Sequence, residues 1–305
     1  MARRKGEAIN GWLVLDKPLG VSSSRAVGRV RRALGAAKAG HGGTLDPLAT
    51  GILPIALGEA TKTVAWAMRG EKTYRFELRW GEATATDDAE GEVTATSPVR
   101  PSAAAIEAVL PRFRGLIIQR PPAFSALKVS GQRAYALARA ETPVDLAPRA
   151  VEIAALRLLR IIDPDTAELE ARVGKGTYIR ALGRDLAAAL GTLGHIVALR
   201  RLAVGPFRED QAISLEILES LGHSAPAFGH LLPVETALDD IPALALTEAE
   251  ADRLRHGASV PLTASPGRLD PLQHGAIIRA TACGKLVALV EIEAGALRPV
   301  RVMNL

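Results

Sequence analysis

Residues 73–81 read TYRFELRWG, and the alternation is strict: Tyr74, Phe76, Leu78 and Trp80 fall on one side of an extended chain, Arg75, Glu77 and Arg79 on the other. A strand patterned this way is half-buried. It needs neighbours to pair with and a layer to cover its apolar face, so the chain must build a sheet packed on at least one side. The rest of the sequence supplies the parts. GWLVLDKP (Gly11 to Pro18) is a short apolar run ending in a turn, and AELEARVG alternates again. SSSRAVGRVRRALG reads as a helix that a serine among Ser22 to Ser24 can cap, with Val27, Val30 and Leu34 on one face and Arg25, Arg29 and Arg32 on another. SAAAIEAVLPRFRG repeats the pattern behind Ser102, with Ile106, Val109 and Leu110 inward, and Ile179, Leu182, Leu186 and Leu190 recur at helical spacing after GKGTYIR. GEATATDDAEGE, from Gly81 to Glu92, reads as a polar acidic loop. The proline-rich, basic run from Gln119 to about residue 150 breaks any period and reads as an inserted excursion.

At 305 residues, 48% of them hydrophobic, the chain can fill one large domain and a small one. No run approaches the roughly 18 to 20 apolar residues of a membrane span, and the basic start MARRKGEAINGW has no apolar signal core behind it, so we expect a soluble, cytoplasmic protein. The single cysteine, Cys283, excludes an intrachain disulfide, suits a reducing compartment, and is expected to be a small buried apolar residue. Net charge is +5, unevenly spread: residues 1–40 hold nine Lys or Arg against Glu7 and Asp16. The arginine stripe of the first helix is either a solvated face or a phosphate-contacting one. There is no Walker loop, dinucleotide fingerprint, HExxH, Cys/His cluster or serine elbow, which leaves chemistry done by side chains alone.

One carboxylate stands apart. HGGTLDPLATG places Asp46 between a Gly-Gly turn and a proline in a segment almost free of other charge. Such an aspartate is a loop cap or an immobilised nucleophile or base. The apolar PLATGILPIALGEATK that follows would partly desolvate it and call for a cationic partner, and Arg180 in KGTYIR is of the right kind.

Six motifs occur in order between about residue 8 and about residue 215: INGWLVLDKPLGVSSS, GHGGTLDPLATGILPIALGEATK, KTYRFELRWG, FSALKVSGQRAY, GKGTYIRALGRDL and LRRLAVGPF. Together they resemble the bacterial TruB-type tRNA pseudouridine synthases, which isomerise uridine 55 in the T loop. The resemblance implies an α+β fold: a mixed, largely antiparallel sheet over residues 1–240, including the excursion at about 119–150, followed at 241–305 by a small β-barrel-like, PUA-type RNA-binding domain. It implies Asp46 as the catalytic aspartate, Tyr74 as the ring stacking on the extruded uracil and helping remove the C5 proton, and Arg180 as the partner of Asp46. It places Tyr178 against the base, His41 in the gap left in the T loop, and Leu199 at the target nucleotide. Lys17, beside Pro18, would support the site wall, and Arg200 and Arg201 would support it or meet phosphates. The implied partner is the T arm of tRNA, with no cofactor, no metal, no membrane, no obligatory protein partner and a monomeric enzyme. Whether Asp46 attacks C1′, adds to C6 or acts as a base is left open. A glycosidase would also use an aspartate, but it needs a second acid about 5 Å or more away, and no comparable motif carries one.

Overall fold

The computed structural model describes residues 6–125, 128–129, 132–133, 146–262 and 275–305. The alternating segment is β4 in a run that begins β1 (Gly11–Lys17), β2 (Ala39–His41), β3 (Ala49–Leu57) and β4 (Lys72–Trp80). A hairpin, β5 (Glu82–Thr84) and β6 (Val93–Thr96), follows. Beyond it come β7 (Gly115–Gln119), the short pair β8 (Lys128–Val129) and β9 (Gln132–Arg133), and then β10 (Arg149–Asp163), β11 (Thr166–Val173) and β12 (Gly194–Val204). The small strands β13 (Phe207–Arg208), β14 (Ile213–Ser214) and β15 (Leu231–Leu232) complete the main sheet. Its order is β14-β1-β3-β12-β4-β11-β10-β7, parallel where β1 meets β14 and where β3 meets β12, and antiparallel elsewhere.

The two faces of this sheet bury different cores. Leu13, Leu15, Leu53, Ile55, Phe76, Leu78 and Trp80 face one cluster, which the helices Ser23–Ala33, Ala103–Val109 and Ile179–Ala189 cover. Each of the first two helices starts as its sequence suggests. The Ser22 hydroxyl accepts from the Arg25 N–H and the Ser102 hydroxyl from the Ala105 N–H, each satisfying one of the free donors at a helix start. Trp12, Val14, Ile52, Val204 and Phe207 point the other way into a second cluster. The excursion leaves the sheet at Gln119 and rejoins it at Arg149; residues 126–127, 130–131 and 134–145 within it lie outside the described residues.

A separate five-stranded sheet closes the chain, built from β16 (Ala243–Ala245), β17 (Val260–Pro261), β18 (Ile277–Ala282), β19 (Lys285–Glu293) and β20 (Ala296–Val302) in the order β16-β18-β19-β20-β17. It has its own core around Ala251, Leu254, Ile278 and Val290. It also lends Leu286, Leu289 and Met303 to the cluster under Trp12 and Val14. Polar ties run alongside: Lys62 Nζ donates to the Val302 carbonyl at 2.8 Å, and the Asn304 N–H to Glu59 Oε2 at 2.7 Å. Cys283 departs from expectation. It is exposed, because it and Gly284 form the two-residue turn between β18 and β19 with φ of 48° and 75°, the positive pair that a tight hairpin demands.

Two lysines are buried at strand ends. Lys17 Nζ, at the end of β1, donates to the carbonyls of Val21, Pro18 and Pro47, and Lys72 Nζ, at the start of β4, to those of Met68 and Gly70. Burial pulls both ammonium groups down from 10.5 to about 8; Asp46 raises Lys17 in partial opposition, and Arg201 lowers both further.

Two outcomes follow from this packing. Leu289→Ala opens a cavity in a cluster shared by both sheets, so it should cost about 2 to 5 kcal/mol and shift a single cooperative urea transition of the whole chain. A separate early transition confined to residues 241–305 would refute the shared core. Because the folded pKa of Lys72 lies below its unfolded value, the unfolded chain holds a proton the folded one has released between pH about 8 and 10.5, and this contribution to stability grows as pH rises through that window. Lys72→Met should therefore flatten the rise of unfolding free energy across it, by up to about 1.4 kcal/mol per pH unit. Identical slopes in parallel urea titrations would show Lys72 titrating normally.

Candidate active site

Asp46 lies in the loop between β2 and β3, and every residue of that loop from Gly43 to Pro47 is gripped from outside it. Arg201 Nη2 donates to the Gly43 carbonyl at 3.0 Å and Nη1 to that of Thr44 at 3.3 Å, while its Nε donates to Ile52 on β3 at 2.7 Å. Ser23 Oγ, at the start of the first helix, both donates to the Leu45 carbonyl and accepts from the Leu45 N–H, each at 2.8 Å. Lys17 holds Pro47 at 3.4 Å. Strand register explains why these cations reach one loop. Lys17 pairs with Gly51, Gly51 with Arg201 and Arg201 with Tyr74, one row across β1, β3, β12 and β4 whose side chains share a face. Gly51 is required within that row: its φ is +95°, and a Cβ there would stand 2.2 Å from the Arg201 carbonyl oxygen.

The Asp46 carboxylate itself is 38% exposed and meets Arg180, whose side chain is 6% exposed, at 3.0 Å between Oδ2 and Nη2. The anion therefore faces the solvent side while its partner is fixed from behind. Arg180 Nη1 donates to the Thr86 carbonyl at 2.9 Å and pairs with the buried Asp88 at 3.3 Å, and Nη2 donates to the Phe124 carbonyl at 2.8 Å. Asp88 belongs to the segment read as a polar acidic loop. In the structure it is buried, because the Asp87–Ala89 backbone is stitched to Ile196 where β12 bulges, and the turn carries the carboxylate inward to Arg180. Its neighbour Asp87 pairs with Arg184 at 3.0 Å, and burial raises the Asp87 carboxyl above its usual value. Glu90, at the end of the same turn, is raised by desolvation first and then by the charges of Asp88 and Asp46.

A cavity of about 340 Å³ opens over Asp46, lined by Tyr74, Tyr178, Arg180, Leu199 and Arg201 together with Lys72. Tyr74 reaches it from the apolar face of β4, where Arg201 lies 6.0 Å from its ring centre. Leu199 comes from β12, two residues before Arg201 and so on the same side of the sheet. Tyr178 is the residue that precedes the helix Ile179–Ala189. It has no capping side chain; instead Gln119 Oε1 accepts from its N–H at 2.9 Å and Gln119 Nε2 donates to its carbonyl at 3.1 Å.

The other expected residues lie differently. His41 ends β2 outside the lining of this cavity, half-buried, with Nδ1 buried and without a partner among the described residues; burial and then the charge of Arg201 keep its imidazole below the ordinary value. Arg201 is 1% exposed, so of the two roles open to it, its geometry serves support. Arg200 points to the opposite face of β12, where it is bidentate to Asp16 at 3.0 and 3.1 Å and bound to Glu209 at 2.8 Å. Those carboxylates occupy the donors a phosphate would need. Asp88 and Gln119 were not singled out by sequence reasoning. The Asp-Asp pair in a loop and a glutamine before prolines carry no local sign of burial, which arises only from distant contacts with Ile196 and Tyr178.

Among the described residues no group of His, Cys, Asp or Glu is arranged to hold a metal ion, and no helix is long and apolar enough to cross a membrane. Residues 31–179 match the N-terminal domain of the TruB family pseudouridylate synthases, and residues 180–239 match the C-terminal domain of tRNA pseudouridylate synthase B. A tRNA pseudouridine synthase B of Rhodospirillum rubrum is 55% identical over 99% of both chains, and one of Caulobacter sp. strain K31 is 53% identical over the full length of both. Among solved structures, a chain in a Cbf5-Nop10-Gar1 complex superposes with a TM-score of 0.74 at 26% identity, covering 96% of this chain and 84% of that one. A rigidly mounted aspartate, its buried arginine and a tyrosine-lined cavity thus accompany likeness along the whole chain, which belongs to the TruB family of pseudouridine synthases.

Proposed function

We propose that this protein converts uridine 55 in the T loop of tRNA to pseudouridine, with Asp46 as the reacting carboxylate. The observation that carries the reading is the pairing of an accessible Asp46 with a buried, multiply anchored Arg180 at 3.0 Å, beneath a cavity walled by two tyrosines. The reaction breaks the N1–C1′ bond, turns the base and rejoins it to C1′ through C5, with the C5 proton leaving and N1 gaining one. Nothing is oxidised and no group is imported, so the demands fall on side chains. A uracil stacked inside a folded loop hides its reactive atoms, and turning it out costs a few kcal/mol. Tyr74 and Tyr178 offer faces to stack on and Leu199 an apolar wall, which recover part of that cost. His41, close enough to the Gly43 loop to feel Arg201, would fill the gap left in the T loop. Lys17 and Arg201 act as supports, and Arg200 braces the back of β12.

In this reading residues 1–240 form the catalytic domain and 241–305 a PUA-type module that adds RNA surface. The enzyme works in the cytoplasm as a monomer on tRNA alone. Pseudouridine mapping on an unmodified T-arm transcript, with no guide RNA or partner protein present, tests this directly, and no conversion under those conditions would overturn it.

Two substitutions test the roles. Asp46→Asn keeps shape and removes the anion, so single-turnover conversion should fall by at least about four decades, roughly 5.4 kcal/mol of barrier, while tRNA affinity at fixed salt stays within a few-fold. Turnover within tenfold of wild type would return Asp46 to a loop-capping role. Arg180→Lys keeps the charge but replaces a planar fork that serves Asp46, Asp88 and two carbonyls with a point charge, and should slow conversion about a hundredfold or more. Near wild-type rates in that variant would show that orientation by Arg180 is dispensable.

A further inference from the structure

The excursion between β7 and β10 is rooted on a cross-strand pair, Gln119 and Arg149, which sit directly opposite each other in the register. Both hold Tyr178. Gln119, 1% exposed, takes the Tyr178 main chain on both sides, donating to its carbonyl and accepting from its N–H. Arg149 takes the ring: its guanidinium carbon lies 5.1 Å from the ring centre, and Nη2 donates to the carbonyl of Gly176, two residues before the tyrosine. Gly176 has φ of +91°, so the chain turns there in a conformation glycine favours and brings that carbonyl under the guanidinium. Arg149 Nε is buried without an acceptor among the described residues. The planar cation laid over an aromatic face adds an attraction beyond the hydrogen bond to Gly176.

We propose that Arg149 is a positioning residue for Tyr178: it fixes the plane of the ring on the cavity side of β10, leaving the other face for the base, while Gln119 fixes the backbone that carries it. The inference rests on the reading above, in which Tyr178 lies against the target uracil. Its consequence is specific. The effect of Arg149 on conversion passes through the ring, and does not come from a contact of Arg149 with RNA.

A double-mutant cycle on the full chain with a T-arm RNA separates these routes. Arg149→Met should lower the single-turnover rate constant at saturating RNA about tenfold in the wild-type and Tyr178→Phe backgrounds, and by less than about twofold in Tyr178→Leu, with affinity within about threefold throughout. An equal loss in the Tyr178→Leu background would overturn the proposal, as would a loss of affinity with an unchanged rate constant, which would make Arg149 a phosphate contact. Thermal unfolding of each variant checks the fold. Should Arg149→Met unfold, Arg149→Lys retains a cation without the planar stack and should show the same background dependence; a rate equal to that of its parent in each of the three backgrounds would refute the role. The controls keep the two readings apart. An inactive wild type on this RNA would sink the proposed activity, whereas an active wild type, an inactive Asp46→Asn and additive losses across the cycle would sink only the role of Arg149.

Discussion

The site depends on two cations buried in one row of the sheet. Lys17 and Arg201 stand on either side of Gly51, on the face from which the Gly43–Pro47 loop hangs, and between them they hold the carbonyls of Gly43, Thr44 and Pro47. Burying a charge is costly, and the depressed Lys17 ammonium, near 8, records that cost. It is offset by carbonyl dipoles aimed at each cation and, for Lys17, by the nearby charge of Asp46. The arrangement is therefore reciprocal. The cations fix the loop, and the loop brings the carboxylate that makes one of the cations tolerable. A loop held only by its own backbone bonds would leave Asp46 free to swing into solvent or to cap its own turn, as aspartates in turns commonly do.

From that row the rest of the fold takes its shape. Arg201 and Leu199 reach the cavity because β12 is central, parallel to β3 on one side and antiparallel to β4 on the other. The same strand receives the Asp87–Ala89 turn at its bulge, so the carboxylate behind Arg180 and the cation beneath the loop are both fixed by one strand. On the reverse face Trp12, Val14 and Phe207 bury against the C-terminal sheet. That sheet thereby braces the strands carrying Lys17 and Arg201, although its own strands stand apart from the main sheet.

Much of this was legible in the sequence wherever the signal is local. The Tyr74–Trp80 alternation, the Ser22 and Ser102 caps and the periodicity after Tyr178 each state their structure within a few residues, and all appear as read. Asp46 could be recognised as immobilised, since Gly-Gly and proline flank it, but the turn alone did not decide between cap and reactive group. What escaped depends on topology. Arg201 and Arg200 are adjacent in sequence and look alike, yet strand alternation sends one into the site and the other to Asp16 on the far face. Asp88 sits in a stretch as polar as any exposed loop. Cys283 was expected to be buried on composition alone, while a two-residue hairpin places it in solvent.

The sharing of Arg180 between two carboxylates bears on the chemistry asked of Asp46. One guanidinium facing one aspartate would form a closed pair, with the anion's charge largely spent on its partner. Here Arg180 also faces Asp88, which is 2% exposed, and two carbonyls besides. Asp46, Arg180 and Asp88 together carry a net negative charge, which the charge of Lys17 partly offsets at Asp46. Asp88, the buried member, has the stronger need of the cation, since an unpaired buried carboxylate would be far more costly than an exposed one. Asp46 is then oriented by Arg180 without being fully neutralised by it, at the lining of the cavity. An arginine that aims a carboxylate while leaving it electron-rich suits a nucleophile or base better than a structural ion pair would, and the buried Asp88 is what produces that difference.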